Sequence, residues 1–326
     1  MEKRAIGSLS VSLVGLGCNN FGIRLDQSHT TRVVEAALDA GINFFDTADI
    51  YGGSRSEEFL GRALAGRRST VIIATKFGMP LDEQRKGAHP AYIARAVEDS
   101  LRRLGTDYID LYQLHRPDPE VPIADTLGAL DQLVRAGKVR EIGCSNFSVA
   151  QLREAQAASA HGGARFVSLQ NEYSLLERQP EDDGVLAECS AQQLGFLPYF
   201  PLASGLLTGK YANDQLPEGA RLSQENSRQA ARFLTRQRRQ WADALATFAQ
   251  ARGHTLLELA LSWLASNKVV ASVIAGATRA EQIYANAGAI GWQLDREELA
   301  EIDRIAPPPS RRSKPPSDYP VVWRGR

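Results

Sequence analysis

The chain is organised around the stretch Asn43-Phe44-Phe45-Asp46-Thr47-Ala48-Asp49-Ile50-Tyr51-Gly52. An apolar, strand-like run ends in the carboxylate of Asp46, and Tyr51 follows in a glycine-rich turn. A buried carboxylate costs free energy unless a partner offsets its lost solvation. We therefore expect a partner for Asp46 elsewhere in the chain.

Around this stretch, short apolar runs alternate with helical patterns, which predicts parallel strands joined by crossover helices. The predicted strands cover residues 13–17, 42–46, 71–76, 108–115, 141–145, 166–170, 195–201 and 270–276. The predicted helices cover residues 31–40, 56–64, 90–104, 123–136, 148–160, 184–193, 255–266 and 280–286. Eight strand–helix units in succession favour a (β/α)8 TIM barrel over an open, doubly wound sheet.

Three segments lie outside this repeat. Residues 4–12 predict a small hairpin that plugs the bottom of the barrel. The segment 203–253, after the seventh strand, is longer than a simple connection needs, and long loops of this kind are usually functional. Its second half predicts a polar helix near 229–250. Residues 306–326 form a proline-rich tail that cannot continue a helix. We treat residues 1–326 as a single domain.

The composition disfavours several functional classes. The 326 residues are 43% hydrophobic and 23% charged, which is typical of a globular protein with a substantial core. The 38 basic residues balance 38 acidic ones, so no overall field favours nucleic acid or an anionic membrane. The first residues lack the apolar core of a signal peptide, and no apolar run approaches the roughly 18 residues of a membrane span. We expect a cytoplasmic protein.

The cysteines and histidines predict neither a disulfide framework nor a metal site. The three cysteines are scattered and lack C-x-x-C spacing. A metal-dependent barrel hydrolase would need several histidine and carboxylate ligands at strand ends. Instead, His29, His89, His161 and His254 fall in predicted helices or loops.

Polar side chains end three successive predicted strands. Asp46 ends the second strand, Lys76 the third and His115 the fourth, while Tyr51 lies just beyond Asp46. Because the C-terminal ends of barrel strands meet at one mouth, these side chains should lie together. Each alone has an ordinary explanation, as a turn aspartate, a solvated lysine or a core histidine. Their joint occurrence favours a functional site.

These residue types suit proton transfer centred on a phenol. Tyrosine has an ordinary pKa of about 10 and needs a nearby cation to exchange its proton near neutrality. Lys76 can supply that cation, because two unit charges about 4 Å apart interact by roughly 4 kcal/mol at an effective dielectric constant near 20. Asp46 would keep Lys76 protonated. His115 would donate a hydrogen bond to a substrate oxygen.

The sequence around these residues resembles the aldo-keto reductase family, in the branch that includes bacterial reductases and the potassium-channel β subunits. The resemblance rests on Asp-Thr-Ala-x-x-Tyr-Gly at 46–52, Ala-Thr-Lys at 74–76 and Asp-Leu-Tyr-Gln-Leu-His at 110–115, and it extends to about residue 294. It implies hydride transfer from a reduced nicotinamide to an aldehyde or ketone, or the reverse oxidation of an alcohol. Tyr51 would supply the proton within a catalytic tetrad formed with Asp46, Lys76 and His115.

The resemblance also implies a set of cofactor-binding residues at the same mouth. They follow the later strands and the long loop: Ser145, Asn146, Gln170, Tyr199, Phe200, Pro201, Leu202, Ser204, Gly205, Lys210, Arg221, Gly276, Thr278, Arg279, Gln282 and Asn286. Ser145, Asn146 and Gln170 would hold the nicotinamide carboxamide, and Tyr199 would stack on the ring. Phe200 stands where many members have serine, so backbone groups would serve there. Lys210 and Arg221 match basic positions in members whose long loop covers the cofactor phosphates.

We expect NADP rather than NAD as the cofactor. Residues 276–286 resemble the family's adenosine-phosphate site at the N-terminus of the last barrel helix, where free N–H groups favour anions. Arg279 adds a cation for a 2′-phosphate, although the family often carries arginine where Gln282 stands. The expected partner is a small carbonyl compound or alcohol, and a homo-oligomer is left open. The alternative function is a nicotinamide-binding regulatory or redox-sensing subunit with little turnover.

Overall fold

The fold is seen in a computed structural model that describes residues 1–159, 162–212, 215–223 and 228–311. Within these residues the strands are β1 (Lys3–Ile6), β2 (Leu9–Ser12), β3 (Val14–Gly17), β4 (Phe44–Asp46), β5 (Ile72–Phe77), β6 (Ile109–Leu114), β7 (Val139–Ser145), β8 (Phe166–Glu172), β9 (Gly195–Tyr199) and β10 (Val273–Gly276). Residue 160, which ends the predicted fifth helix, and residues 312–326 of the predicted tail lie outside the described residues.

The last eight of these strands form one parallel sheet in the order β10-β3-β4-β5-β6-β7-β8-β9. The sheet closes on itself where Phe196 of β9 pairs with Val270, just ahead of β10. Surrounding helices connect most consecutive strands, so the predicted (β/α)8 TIM barrel is confirmed.

The described helices are α1 (Gln27–Asp39), α2 (Arg55–Ala63), α3 (Pro90–Leu104), α4 (Ile123–Arg135), α5 (Val149–Ala158), α6 (Gln179–Asp182), α7 (Val185–Gln192), α8 (Arg228–Phe233), α9 (Arg236–Gln250), α10 (Leu256–Ser266), α11 (Ala280–Gly288) and α12 (Arg296–Ile305). Several begin where the sequence supplies a cap. The side chains of Ser148 and Thr255 each accept a hydrogen bond from the third helical N–H, and the side-chain oxygens of Gln151 and Glu258 accept one from the N–H of the respective cap residue. In the described part of the chain, every helix is too short or too polar to span a bilayer.

The N-terminal hairpin closes one end of the barrel. β1 and β2 pair antiparallel, as predicted for residues 4–12. Ile6, Leu9 and Val11 are buried against apolar side chains inside the barrel. Among these partners, Ile72 and Val167 lie at the starts of β5 and β8. The hairpin therefore plugs the end at which the strands begin.

The alternation of side chains along the strands positions the site. Lys76 of β5 and Gln113 of β6 are register partners, and both are fully buried. Their neighbours Phe77 and Tyr112 stack on each other in the outer apolar layer beneath the helices. Because successive side chains of a strand point to opposite faces, Lys76 and Gln113 point into the barrel.

The long connection between β9 and β10 differs from the prediction in one respect. One polar helix was expected near residues 229–250, but two are found, α8 and α9. The side chain of Thr235 accepts a hydrogen bond from the N–H of Arg238 and begins the second helix. The chain can therefore change direction between Phe233 and Arg236.

At the C-terminus lies α12, a helix that was not predicted; it ends at Ile305, directly before the predicted proline-rich tail. The last described residues do not leave the barrel at once. Ser310 donates hydrogen bonds from its N–H and hydroxyl to the carboxylate of Asp182, over 2.6 and 2.7 Å. The start of the tail is thereby attached to α6.

Candidate active site

The partner expected for Asp46 is Lys76. Asp46 ends β4 and Lys76 lies in the neighbouring strand β5, so the two side chains meet inside the barrel. Nζ of Lys76 donates to Oδ1 of Asp46 over 2.5 Å and to the carbonyl of Thr47 over 2.8 Å. Lys76 is fully buried and Asp46 nearly so. Two charges out of water must stay paired, so this contact fixes both side chains.

The second oxygen of Asp46 accepts two amide donors. Nε2 of Gln170, from β8 on the far side of the barrel, lies 2.8 Å from Oδ2. Nε2 of Gln113, from β6, lies 3.3 Å from the same oxygen. Gln170 was predicted to bind a nicotinamide carboxamide, and in this structure its amide is bonded to Asp46. Gln113 was not predicted as a site residue.

Tyr51 and His115 complete the group at the mouth of the barrel. The centre of the Tyr51 ring lies 5.1 Å from Nζ of Lys76. The rings of Tyr51 and His115 meet edge to face with centres 5.9 Å apart. The loop that carries Tyr51 packs closely against the backbone of Phe21, and this requires glycine at position 52. The φ of Gly52 is +63°, and an added Cβ would lie 2.6 Å from the carbonyl oxygen of Phe21.

The electrostatics of the three groups differ. Burial would lower the pKa of Lys76, but the charges of Asp46 and Tyr51 raise it above its ordinary value, so Lys76 stays protonated. Burial raises the pKa of Tyr51 more than Lys76 lowers it. Burial and the charges of Lys76 and Arg116 lower the pKa of His115 to about 3. At neutral pH, Tyr51 therefore carries its proton, and His115 is a neutral imidazole that can donate through one nitrogen only.

A second buried carboxylate lies close by but does not line the cleft. Both oxygens of Asp49 lack a hydrogen-bond partner among the described residues. Glu57 is also buried, but it accepts hydrogen bonds from Thr75 over 2.6 Å and Arg103 over 2.7 Å. Burial, with the charge of Glu57, raises the pKa of Asp49 to about 7. The hydroxyl of Tyr112, near Asp49, has no described partner either.

This arrangement predicts a pH-dependent stability. The pKa of Asp49 is raised from 3.8 to about 7 by folding, so the native state holds this proton more tightly than the unfolded chain. Its contribution to stability is full below pH 4 and is lost as the pH rises to about 7. We expect Asp49→Asn to remove this loss and to be more stable than the wild type at pH 8 by a few kcal/mol, since one pKa unit corresponds to about 1.4 kcal/mol.

The measurement is the free energy of unfolding in urea from pH 5 to 8. Asp39→Asn, which changes an exposed carboxyl on α1, is the control and should track the wild type. A difference between Asp49→Asn and the wild type that stays constant over this range would contradict the expectation.

One cleft of about 1640 Å³ opens at the C-terminal ends of the strands. Pockets for small ligands usually have roughly 300–1,000 Å³, so this cleft has room for a large cofactor together with a substrate. Asp46, Tyr51 and His115 line it, and Lys76 lies behind Asp46. Every predicted cofactor residue also lines it: Ser145, Asn146, Gln170, Tyr199, Phe200, Pro201, Leu202, Ser204, Gly205, Lys210, Arg221, Gly276, Thr278, Arg279, Gln282 and Asn286.

A polar network around Asn146 connects the ends of the four strands β6, β7, β8 and β9 beside His115. The side-chain amide of Asn146 donates to the carbonyl of His115 over 3.0 Å, and its oxygen accepts from the hydroxyl of Tyr199 over 2.9 Å. The hydroxyl of Ser145 donates to the carbonyl of Gln170 over 2.7 Å. Phe200, which replaces the family's serine, packs edge to face on Tyr199. These contacts hold the predicted nicotinamide end of the cleft in shape.

Four cations converge at the other end of the cleft. Lys210, Arg221 and Arg279 were predicted, and Arg24, from the loop after β3, joins them. Burial and then the charges of the three arginines lower the pKa of Lys210. The side chain of Lys210 packs against the backbone of Gly205, where a Cβ would lie 2.9 Å from Nζ of Lys210. Mutual repulsion of this kind favours a polyanionic ligand.

Three hydrogen bonds connect the segments that carry these cations. Arg24 donates to the carbonyl of Gly219 in the long loop. From that loop, Arg221 donates to the side-chain oxygen of Asn20 over 2.5 Å, and Asn20 donates to the carbonyl of Ala277 over 3.1 Å. The loop is thereby connected to the segment after β3 and, through Asn20, to the segment after β10.

The N-terminus of α11 borders the same region. Oε1 of Gln282 accepts from the N–H of Thr278 over 2.8 Å and from its hydroxyl over 3.2 Å. Arg279 occupies the cap position of the helix. Cations, a helix N-terminus and glycine at close-approach positions are the groups that a dinucleotide phosphate requires, so the residues present fit such a cofactor.

Comparison with known proteins assigns the chain to a protein family. The sequence model described as the Aldo/keto reductase family matches residues 13–307. The chain belongs to this family. It is 36% identical over 299 residues to a protein of Oryza sativa named probable voltage-gated potassium channel subunit beta, covering 89% of this chain and 91% of that protein.

Two bacterial relatives carry enzyme names. The chain is 35% identical over 317 residues to the aldo-keto reductase YhdN of Bacillus subtilis, covering 94% of this chain and 93% of that protein. It is 32% identical over 320 residues to the L-glyceraldehyde 3-phosphate reductase of Escherichia coli O157:H7, covering 93% and 92%. The expected resemblance to this branch is confirmed. Aldo-keto reductases generally use NAD(P)H, and the relatives' names support oxidoreduction.

Sequence reasoning missed Gln113, Arg24 and Asp49. Gln113 could have been found, because it shares the inward-facing side of β6 with Leu111 and His115 and is a polar amide at a position where a barrel interior usually carries an apolar side chain. Arg24 lies in a loop without a motif. Asp49 lies inside the stretch that organises the chain, but its environment depends on how α2 and α3 pack.

Proposed function

We propose that this aldo-keto reductase is an NADP-dependent oxidoreductase that interconverts an aldehyde or ketone and the corresponding alcohol. The observation that carries the proposal is the contact of Tyr51 with both His115 and Lys76 at the mouth of a cleft large enough for a dinucleotide. A bound reduced nicotinamide supplies the hydride.

Tyr51 is the proton donor of reduction. Its burial keeps it neutral at physiological pH, which is the form that a general acid needs. As negative charge develops on the substrate oxygen, the nearby ammonium of Lys76 stabilises the phenolate that remains. Asp46 holds Lys76 in its charged form. In the oxidation of an alcohol, the same tyrosine accepts the proton.

His115 orients the substrate oxygen. With a pKa of about 3 it is neutral at pH 7, so its role is that of a hydrogen-bond donor and not of an acid. Its Nδ1 has no hydrogen-bond partner among the described residues. Edge contact with Tyr51 places the imidazole beside the proton donor.

The cations support NADP over NAD. Arg279 caps α11, and a 2′-phosphate there would gain a charge-assisted hydrogen bond. We expect Arg279→Ala to weaken NADPH binding by about tenfold, since such a bond contributes about 1.5–3 kcal/mol when well shielded and less when exposed. NADH binding should change little. Fluorescence titration with both cofactors measures this, with Arg279→Lys as a charge-preserving control; an equal loss for both cofactors would contradict it.

The alternative is a nicotinamide-binding regulatory subunit, a reading suggested by the relatives named as potassium-channel subunits. Both functions predict cofactor binding, so turnover separates them. A panel of aldehydes, ketones and alcohols, read by nicotinamide absorbance with NADP and NAD in parallel, tests the proposal. Turnover of at least one carbonyl compound with NADPH is expected. Tight NADPH binding without turnover of any compound would favour the regulatory function.

A cytoplasmic location stays a prediction. The proposed partner is a small carbonyl compound or alcohol that enters the cleft beside Tyr51.

A further inference from the structure

Gln113 is a buried amide that donates a hydrogen bond to Asp46 of the acid–base group. It lies in the middle of the barrel, fully buried on β6, next to its register partner Lys76. Its Nε2 donates to Oδ2 of Asp46 over 3.3 Å. Its Oε1 has no partner among the described residues. Burying an amide whose carbonyl oxygen has no hydrogen-bond partner is unfavourable. Apolar packing alone therefore does not account for a glutamine at this position.

The barrel leaves room for this side chain. Gly143 is the register partner of Gln113 on β7. A Cβ on Gly143 would lie 3.2 Å from Cγ of Gln113 and 2.2 Å from Oγ of Ser168. The absence of a side chain at residue 143 therefore makes the space in which Gln113 reaches Asp46.

Gln113 and Gln170 share one oxygen of Asp46 but differ in their access to the cleft. Gln170 lines the cleft, and its amide can therefore meet a ligand there. Gln113 is not among the residues that line the cleft in the described part of the chain. A ligand that draws the amide of Gln170 away from Asp46 would leave Gln113 as the amide donor to Oδ2.

We infer that Gln113 is a positioning residue that compensates the charge of Asp46 through a permanent amide donor and thereby sets the acidity of Tyr51. The inference rests on the proposed function of Tyr51 as proton donor. It assigns Gln113 no contact with substrate or cofactor, because the residue acts through Asp46.

Gln113 acts on Tyr51 through the charge of Asp46. Burial makes the largest contribution and raises the pKa of Tyr51, Lys76 lowers it, and Asp46 raises it. Cys18 also faces Tyr51, but burial raises the pKa of this thiol and keeps it neutral. An amide donor spreads the negative charge of Asp46. Without it, the full charge acts on Tyr51, and the proton of Tyr51 becomes harder to remove.

The experiment compares Gln113→Met with the wild type. Methionine has a similar unbranched shape but no donor. We expect the rise of alcohol oxidation with pH to move upward by about half a unit, since it requires the deprotonated tyrosine. The Kd for NADP⁺ should be unchanged. In the free protein, the Tyr51 signal in carbon-13 NMR of labelled tyrosine, assigned with Tyr51→Phe, should begin to move toward its phenolate position at a higher pH.

Ser168→Ala is the matched control. Ser168 is fully buried beside Gly143, and its hydroxyl has no partner among the described residues. This variant should leave both the pH profile and the Tyr51 signal unchanged. Equal shifts in both variants, or a Gln113→Met protein that loses stability with an unshifted Tyr51 signal, would overturn the inference. Because the NMR measurement needs no turnover, it tests Gln113 even if the wild type reduces no carbonyl compound and the proposed function fails.

Discussion

Tyr51→Phe is expected to lower kcat for carbonyl reduction by about 100-fold or more while leaving the Kd for NADPH close to the wild-type value. The substitution removes the hydroxyl and keeps the ring that meets His115 edge to face. General acid catalysis by a positioned side chain is worth about 10²–10⁴ in rate. The proton would then have to come from water, which lacks the stabilisation that Lys76 gives to the tyrosine.

Single-turnover kinetics and cofactor titration measure the two effects separately. Tyr108→Phe is the matched control, because Tyr108 precedes β6 at the opposite end of the barrel and stacks on Arg68 through its ring. This control should behave as the wild type. A Tyr51→Phe protein that keeps most of its kcat would remove Tyr51 from the role of proton donor. Loss of NADPH binding would show instead that the hydroxyl supports the shape of the cleft.

The second large effect concerns stability. Asp46→Leu and Lys76→Met should each lower the free energy of unfolding by about 3–5 kcal/mol, because each leaves one buried charge without its partner. Lys76 is fully buried, and it also donates to the carbonyl of Thr47. The double variant should be less destabilised than either single one, because a pair of apolar side chains carries no unpaired charge.

Urea unfolding at pH 7, followed by circular dichroism, completes this double-mutant cycle. Arg102→Met and Asp99→Leu provide the comparison, since this pair lies on the surface of α3 with a contact of 2.7 Å. The surface pair should show a coupling below about 1 kcal/mol. Additive losses in the buried pair would mean that Asp46 and Lys76 do not depend on each other.

The sequence predicted those parts of the site that depend on strand ends. Asp46, Lys76 and His115 end apolar runs, and a parallel barrel must bring such residues to one mouth. The break between α8 and α9 was missed, because one capping threonine within a polar segment gives a weak signal. Gln113 was missed because its role depends on an oxygen that belongs to another strand.

The acidity of Tyr51 shows where reasoning from residue types reaches its limit. A neighbouring lysine was expected to favour the phenolate, and Lys76 does lower the pKa of Tyr51. Burial acts in the opposite direction and is larger. The balance depends on how completely the loop around Gly52 covers the ring. Neither the loop path nor the resulting desolvation can be read from spacing.

The hairpin plug has a consequence for the movement of protons. Among the described residues, Ile6, Leu9 and Val11 fill the far end of the barrel and the cleft borders Asp46 at the other end, so water approaches Asp46 and Lys76 through the cleft. A molecule that fills the cleft cuts these charges off from solvent. If Tyr51 is the proton donor, as proposed, the proton that it gives up is replaced from solvent after the bound molecule leaves, so reprotonation of Tyr51 is coupled to the release of product.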